Sequence, residues 1–282
     1  MKKILVPIDY SASADNAVCY AIHLAKTIKA NIHLVHGINV PELSPMSGLV
    51  VWPLEDYSTI KQEADDQLTA YTNQLQKTHQ LNNSEIPLIT YSSEIGTVKQ
   101  VVDQLIELKK FDMVVMGLSG IGNIEKFFMG SNSRDLIANT KIPVLLIPKN
   151  VSFIKLKKIG FATDLSLSDI NNIHQLTGLF VLFNADVLLV HISEEPKNGL
   201  NKNVDRFLND VTCKINYSKI YYRHIEESDV EQGLIWLAEH TQIDLLTMIH
   251  RKSTLFKNLT TGSYTQKMAQ KIELPLLVMP EV

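Results

Sequence analysis

The chain has 282 residues, of which 45% are hydrophobic and 20% charged, and its formal net charge at pH 7 is −3. This composition indicates a folded protein of roughly two domains and excludes a largely disordered chain. The near-neutral charge excludes the whole-protein basic field that binds nucleic acid or an anionic membrane. No apolar stretch reaches the length of a membrane span, and Pro7 and Asp9 precede any signal-peptide core, so we expect a cytoplasmic protein.

The first half of the chain alternates short apolar runs with helical patterns. The runs are nearly continuous in apolar residues, as strands covered on both faces are. Between them, apolar residues recur at the spacing of a helix, and Ser11 and Ser131 stand where they would cap the first and last helices. Strand-like runs lie near residues 3–8, 31–37, 86–91, 112–117 and 143–147, and helical patterns near 17–25, 60–75 and 98–106.

The sequence repeats itself once. Residues 2–13 return as 157–168, and the second strand returns at the same offset of 155 residues. After the second helix the offset becomes 132, so that 112–116 matches 244–248. We therefore predict two copies of one domain, residues 1–150 and 151–282, joined by a short linker near 149–155. Strands alternating with helices predict a doubly wound, five-stranded parallel sheet in each copy, with helices on both faces.

The change of offset locates roughly 20 extra residues in the first copy, at positions 39–58. Three prolines prevent a continuous helix there, while the apolar content is high for a loop. Such a segment leaves the carboxyl end of a strand. It could cover a binding pocket as a lid, or pack against the other domain, and the sequence leaves both alternatives open.

A set of glycines follows the fourth strand of the first copy. Two residues separate Gly117 from Gly120, and nine residues separate Gly120 from Gly130, which lies directly before Ser131 and near Ser133. Glycine lets backbone amides approach phosphate oxygens without an intervening Cβ. The helix beginning near Gly130 would add exposed amides and the positive end of its dipole. The pattern therefore predicts an anion or phosphate site.

This spacing is similar to the ATP-binding signature of the universal stress protein family, which the chain resembles from end to end. The family's landmarks are the strand ending Val6-Pro7-Ile8-Asp9, the ending Leu34-Val35-His36, and a closing Pro-Val-Leu-Leu-Ile. The duplicated layout resembles the family's tandem members. The resemblance implies the strand order 3-2-1-4-5 and a fold similar to the adenine nucleotide α-hydrolases.

The resemblance also implies the roles of the candidate site residues. Asp9 and the backbone around Gly37 would meet adenine and ribose, and Gly117 and Gly120 would meet ribose and phosphate. The cofactor would be ATP, with Mg²⁺ or Mn²⁺ on its phosphates. The full candidate set is Pro7, Asp9, Gly37, Met116, Gly117, Gly120, Gly130, Ser131 and Ser133.

The second copy departs from this pattern. Ile249 and Lys252 stand where Gly117 and Gly120 stand, and only Asp164 and the Gly262-Ser263 pair are retained. Because a Cβ at both positions would close the backbone cradle, we predict no nucleotide there and a structural or partner-binding role. We expect the basic residues 250–252 to form a solvated loop, with a different bound anion as the alternative.

An order of 3-2-1-4-5 leaves the fifth strand at the edge of each sheet. A long apolar edge invites pairing with another edge. We therefore predict that the last strands, 142–148 and 274–280, pair and make the chain an intramolecular pseudo-dimer. A homodimer of whole chains remains open.

Three functions fit these observations. We favour an ATP-binding regulatory protein of the stress-response type, without efficient turnover. The second is a slow ATPase or nucleotide hydrolase, although no Walker lysine follows the glycines and Ser11-Ala12-Ser13 stands where related pyrophosphatases carry a Ser-Gly-Gly run. The third is a dimerisation scaffold that needs no nucleotide.

Overall fold

The computed structural model of the chain describes residues 1–39, 57–80, 87–118, 136–137, 141–194, 202–251 and 274–281. Its strands are β1 (Lys2–Ile8), β2 (Ala30–Ile38), β3 (Ile89–Ile95), β4 (Met113–Leu118), β5 (Val144–Pro148), β6 (Lys158–Ala162), β7 (Asp186–Ser193), β8 (Ile220–Glu226), β9 (Leu245–His250) and β10 (Leu276–Pro280). The helices with defined bounds are α1 (Ala12–Ile28), α2 (Tyr57–Thr78), α3 (Val98–Leu108), α4 (Asp169–Phe180), α5 (Lys202–Lys214) and α6 (Val230–His240). None of the helices in these ranges is long and apolar enough to cross a membrane.

The strands form one sheet of ten, in the order β3-β2-β1-β4-β5-β10-β9-β6-β7-β8. Within each half all neighbouring strands are parallel, and the order is the predicted 3-2-1-4-5. The predicted α/β fold class is therefore confirmed. The halves meet where β5 and β10 pair antiparallel, with Leu146 opposite Leu276 and Val144 opposite Val278.

The sheet is covered on both faces. Side chains alternate along each strand. Met113 and Val115 of β4 point to the side of the sheet that carries α1 and α2, while Val114 points to the side that carries α3. The face carrying α1, α2, α4 and α5 has one apolar core that runs through both halves. On the opposite face, α3 and α6 cover separate clusters, and Val278 of β10 packs into the cluster beneath α3.

The third strand lies later in the chain than predicted. The sequence favours residues 86–91 because they are more apolar, but β3 runs from Ile89 to Ile95. It forms an edge of the sheet and one of its faces is partly exposed, so Ser92 and Glu94 are tolerated within it. An edge strand covered on one side lacks the continuous apolar run that identifies a central strand.

The linker between the halves is held against α1. The side-chain amide of Asn16 donates to the carbonyl oxygens of Pro148 and Val151, both at 3.0 Å. The ring of Phe153 packs edge-on against Tyr20, with ring centroids 5.1 Å apart. Lys2 completes the junction, since its ammonium group donates to the last carbonyl groups of α4 at 2.6 and 2.7 Å.

Candidate functional site

The predicted site residues that the structure describes lie together at one end of the sheet, where central strands finish. β1 lies between β2 and β4, and all three strands are parallel, so their carboxyl ends meet. We call the space at these ends the first cleft and define it by Asp9, Gly37 and Gly117. Strand order reverses at β1, and open α/β sheets bind ligands at such switch points.

Asp9 is fixed by the turn that leads into α1. It is exposed, and one carboxylate oxygen accepts the backbone N–H of Ser11 at 3.0 Å. Ser11 in turn caps α1 as predicted, because its hydroxyl accepts the N–H of Ala14 at 3.2 Å. The intervening Tyr10 has a φ of 59°, in the left-handed region that non-glycine residues adopt only rarely. The tight turn thus presents the Asp9 carboxylate at the mouth of the first cleft.

Aromatic side chains support this turn from one side. The Tyr10 ring lies 5.0 Å from the ring of His36 and 5.6 Å from that of Tyr71. His36 is half-buried, and its Nδ1 donates to the carbonyl oxygen of Ile8 at 2.9 Å. This hydrogen bond ties the end of β2 to the end of β1, as expected for a histidine with a structural role.

The two described glycines of the first cleft touch backbone rather than open space. A Cβ at Gly37 would lie 3.0 Å from the carbonyl oxygen of Gly96, and one at Gly117 would lie 2.3 Å from that of Ser13. Gly117 is therefore required for the first turn of α1 to pack on β4. This packing requirement is a reason for glycine that the phosphate pattern alone does not reveal.

The remaining members of the candidate set differ in their surroundings. Pro7 and Gly117 are buried, whereas Gly37 and Met116 are half-buried at the strand ends. The other members, which are Gly120, Gly130, Ser131 and Ser133, lie outside the described residues, as do 40–56 of the inserted segment.

The second half has a corresponding second cleft, defined by Asp164, Ile192 and Ile249. The repeat offsets place Ile192 where Gly37 stands and Ile249 where Gly117 stands. Room for Ile192 comes from α6, where Gly233 replaces Val101, and a Cβ at Gly233 would lie 2.6 Å from Ile192. The second cleft retains a cavity of only about 90 Å³, well below the roughly 300 Å³ of small-molecule sites.

Arg251 does not form the solvated basic loop that the sequence predicted. Its guanidinium group donates through Nη2 to Asp164 at 2.6 Å and to Asp169 at 2.5 Å, and its side chain is only 13% exposed. Asp169 is fully buried and also accepts the hydroxyl of Thr163 at 2.6 Å. A mostly buried cation that is paired with two carboxylates is not part of a solvated loop, so the prediction was wrong for this residue.

Burial raises the pKa of Asp169 to about 6, and the bond from Thr163 and the charge of Arg251 act in the opposite direction. In the first half the counterpart of Asp169 is Ala14. The change from a small apolar residue to a buried carboxylate was a usable signal, because such a group requires a partner.

Fold and strand ends together define a doubly wound α/β protein built from two like halves, with glycines at the strand ends of the first cleft and isoleucines at the matching positions of the second. The sequence profile of the Universal stress protein family matches residues 1–148. The chain belongs to that family.

Individual relatives agree with this assignment. A universal stress protein of Methanocaldococcus jannaschii is 28% identical over 151 residues, which are 52% of this chain and 82% of the relative. One from Mycolicibacterium smegmatis is 31% identical over 146 residues, covering 51% of this chain and 47% of the relative. The crystal structure of a universal stress protein from Archaeoglobus fulgidus matches 99% of this chain and 98% of its own, with 16% identity and a TM-score of 0.73.

Proposed function

We propose that this protein binds one adenine nucleotide of the ATP class in the first cleft and acts as a stress-response regulator without efficient turnover. Residues 1–150 would form the nucleotide-binding domain. Residues 151–282 would form a second domain that pairs with it inside the chain and binds no nucleotide. The protein would act in the cytoplasm.

The observation that carries this proposal is the contrast between the two clefts. The first cleft combines the exposed carboxylate of Asp9 with glycines at positions 37 and 117. The second places two isoleucines at the matching positions and occupies its aspartate with Arg251. A carboxylate accepts the N–H donors of a base or the hydroxyls of a ribose, and Asp9 makes no ion pair with a described residue, whereas Asp164 is paired with Arg251.

A divalent cation would sit on the phosphates. No group of three metal-ligating side chains converges within the described ranges, so Mg²⁺ or Mn²⁺ would depend on phosphate oxygens and water. Magnesium keeps several water ligands at most sites, which fits this arrangement.

Titration calorimetry of the full chain with Mg-ATP tests the proposal. We expect a stoichiometry near one, whereas two equal sites would contradict the contrast between the clefts. The decisive variant is Gly37→Ile combined with Val101→Gly, because it transfers to the first half the pair that the second half uses. The second half accommodates the same pair, but a Cβ at position 37 lies 3.0 Å from the carbonyl oxygen of Gly96, so circular dichroism must first show that the variant is folded. The folded variant should lose ATP binding. Unchanged affinity would refute the proposed site.

Asp9 provides a matched control. Asp9→Asn keeps the shape of the side chain, removes its charge and should weaken ATP binding. The corresponding Asp164→Asn is the control variant and should leave ATP binding unchanged. Phosphate release under saturating Mg-ATP separates a regulator from a slow ATPase. The absence of any stabilisation by ATP would favour the alternative of a nucleotide-independent scaffold.

A further inference from the structure

The second cleft has a small apolar cavity at the carboxyl ends of β6, β7 and β9. Its volume is about 90 Å³, and its walls are mainly aliphatic, formed by Val190, Ile192, Leu234 and Met248. This is the switch point of the second half, where a doubly wound sheet binds ligands. The volume equals that of about three water molecules, which suits a group of three or four carbon atoms.

Two opposite charges lie at the cavity. Asp164 and Arg251 both line it, and the Asp164 side chain is 45% exposed. One Asp164 oxygen, Oδ1, accepts the Ser166 N–H at 3.0 Å and the Arg251 guanidinium. Asp164 is thus held in place, and its second oxygen accepts no hydrogen bond from the described residues.

Arg251 is anchored from outside the cavity by Asp169. Its hydrogen bonds within the described ranges use only Nη2. A guanidinium group has five N–H donors, and the three on Nε and Nη1 make no hydrogen bond to any residue of the described ranges. A ligand carboxylate can accept single charge-assisted hydrogen bonds from these donors, while the Asp164 oxygen that accepts no hydrogen bond from the described residues suits an ammonium group.

We propose that the second cleft binds an aliphatic α-amino acid. The ammonium group would lie on Asp164, the carboxylate on Arg251, and the branched side chain in the cavity. The first cleft lacks this combination because Ala14 and Ser119 stand at the positions that correspond to Asp169 and Arg251. The inference is independent of the proposed nucleotide function, since it involves neither the first cleft nor the glycine set.

Titration of the full chain with L-valine and L-leucine at millimolar concentrations, followed by thermal shift and calorimetry, tests this site. We expect saturable binding of about one molecule per chain, unaffected by ATP or by Asp9→Asn. Glycine, which lacks the side chain, isobutylamine, which lacks the carboxylate, and isovalerate, which lacks the ammonium group, should each bind at least about tenfold more weakly.

Asp164→Asn is the principal variant, because this half-exposed side chain can lose its charge without leaving a buried ion unpaired. It should weaken L-valine binding about tenfold or more. Arg251→Gln combined with Asp169→Asn removes both partners of the buried pair together and should abolish the preference for L-valine over isobutylamine. Equal binding of valine and isobutylamine by the wild type, unchanged binding by Asp164→Asn, or no saturable binding would each overturn the assignment.

Discussion

Replacement of Gly117 by alanine should destabilise the protein, because the added methyl group has no free volume. A Cβ there would lie 2.3 Å from the carbonyl oxygen of Ser13, 2.6 Å from its carbonyl carbon and 3.1 Å from the nitrogen of Ala14. These atoms belong to the backbone of the first turn of α1, which cannot rotate away as a side chain can. Overpacking costs about 1–3 kcal/mol, and we expect the upper end because the start of α1 must move.

Urea unfolding followed by circular dichroism measures this loss. Gly178→Ala is the matched control, since a Cβ at Gly178 of α4 would have nothing within 4 Å. That change should stabilise the chain by about 0.5–1 kcal/mol, because alanine is a better helix former. If Gly117→Ala unfolded at the same urea concentration as the wild type, the packing requirement inferred from β4 and α1 would be wrong.

Three further predictions concern stability. Burial lowers the pKa of His33 from 6.5 to about 4, so the stability conferred by its neutral form is fully present above pH 6.5. This stability is lost as the pH falls towards 4, by at most about 3 kcal/mol. The raised pKa of Asp169 makes stability change in the opposite direction over the same pH window. The test is therefore the difference in the free energy of unfolding between His33→Gln and wild type over this window. A difference that does not change with pH would contradict the prediction. Asn16→Ala should cost about 1–3 kcal/mol by removing two hydrogen bonds to linker carbonyls, of which that of Pro148 keeps the N–H of Val151 as a donor. Unchanged amide exchange in the linker would contradict this. Thr97→Ala removes the capping box of α3 and should lower the melting temperature in line with a loss of about 1 kcal/mol, whereas an unaltered melting temperature would argue against it.

The sequence alone determined the fold class of each half. Central strands buried on both faces carry continuous apolar runs, and the repeat shows that one pattern folds twice. The strand order followed from the family resemblance. The bounds of β3 were predicted poorly because an edge strand is only partly covered, and its polar residues resemble those of a loop.

For the candidate site, too, some features followed from the sequence and others only from the tertiary structure. The sequence alone predicts that Asp9, Gly37 and Gly117 lie at the same end of the sheet, because parallel strands end together. Their role in binding a nucleotide stays a prediction. Only the tertiary structure decided why position 117 must be glycine, since the atoms it meets belong to Ser13, far away in the chain. Arg251 was misjudged for the same reason: its two partners lie 87 and 82 residues away. A charged side chain after a strand has the same local pattern whether it faces water or a buried carboxylate, and only the packing of α4 against β6 and β9 distinguishes these environments.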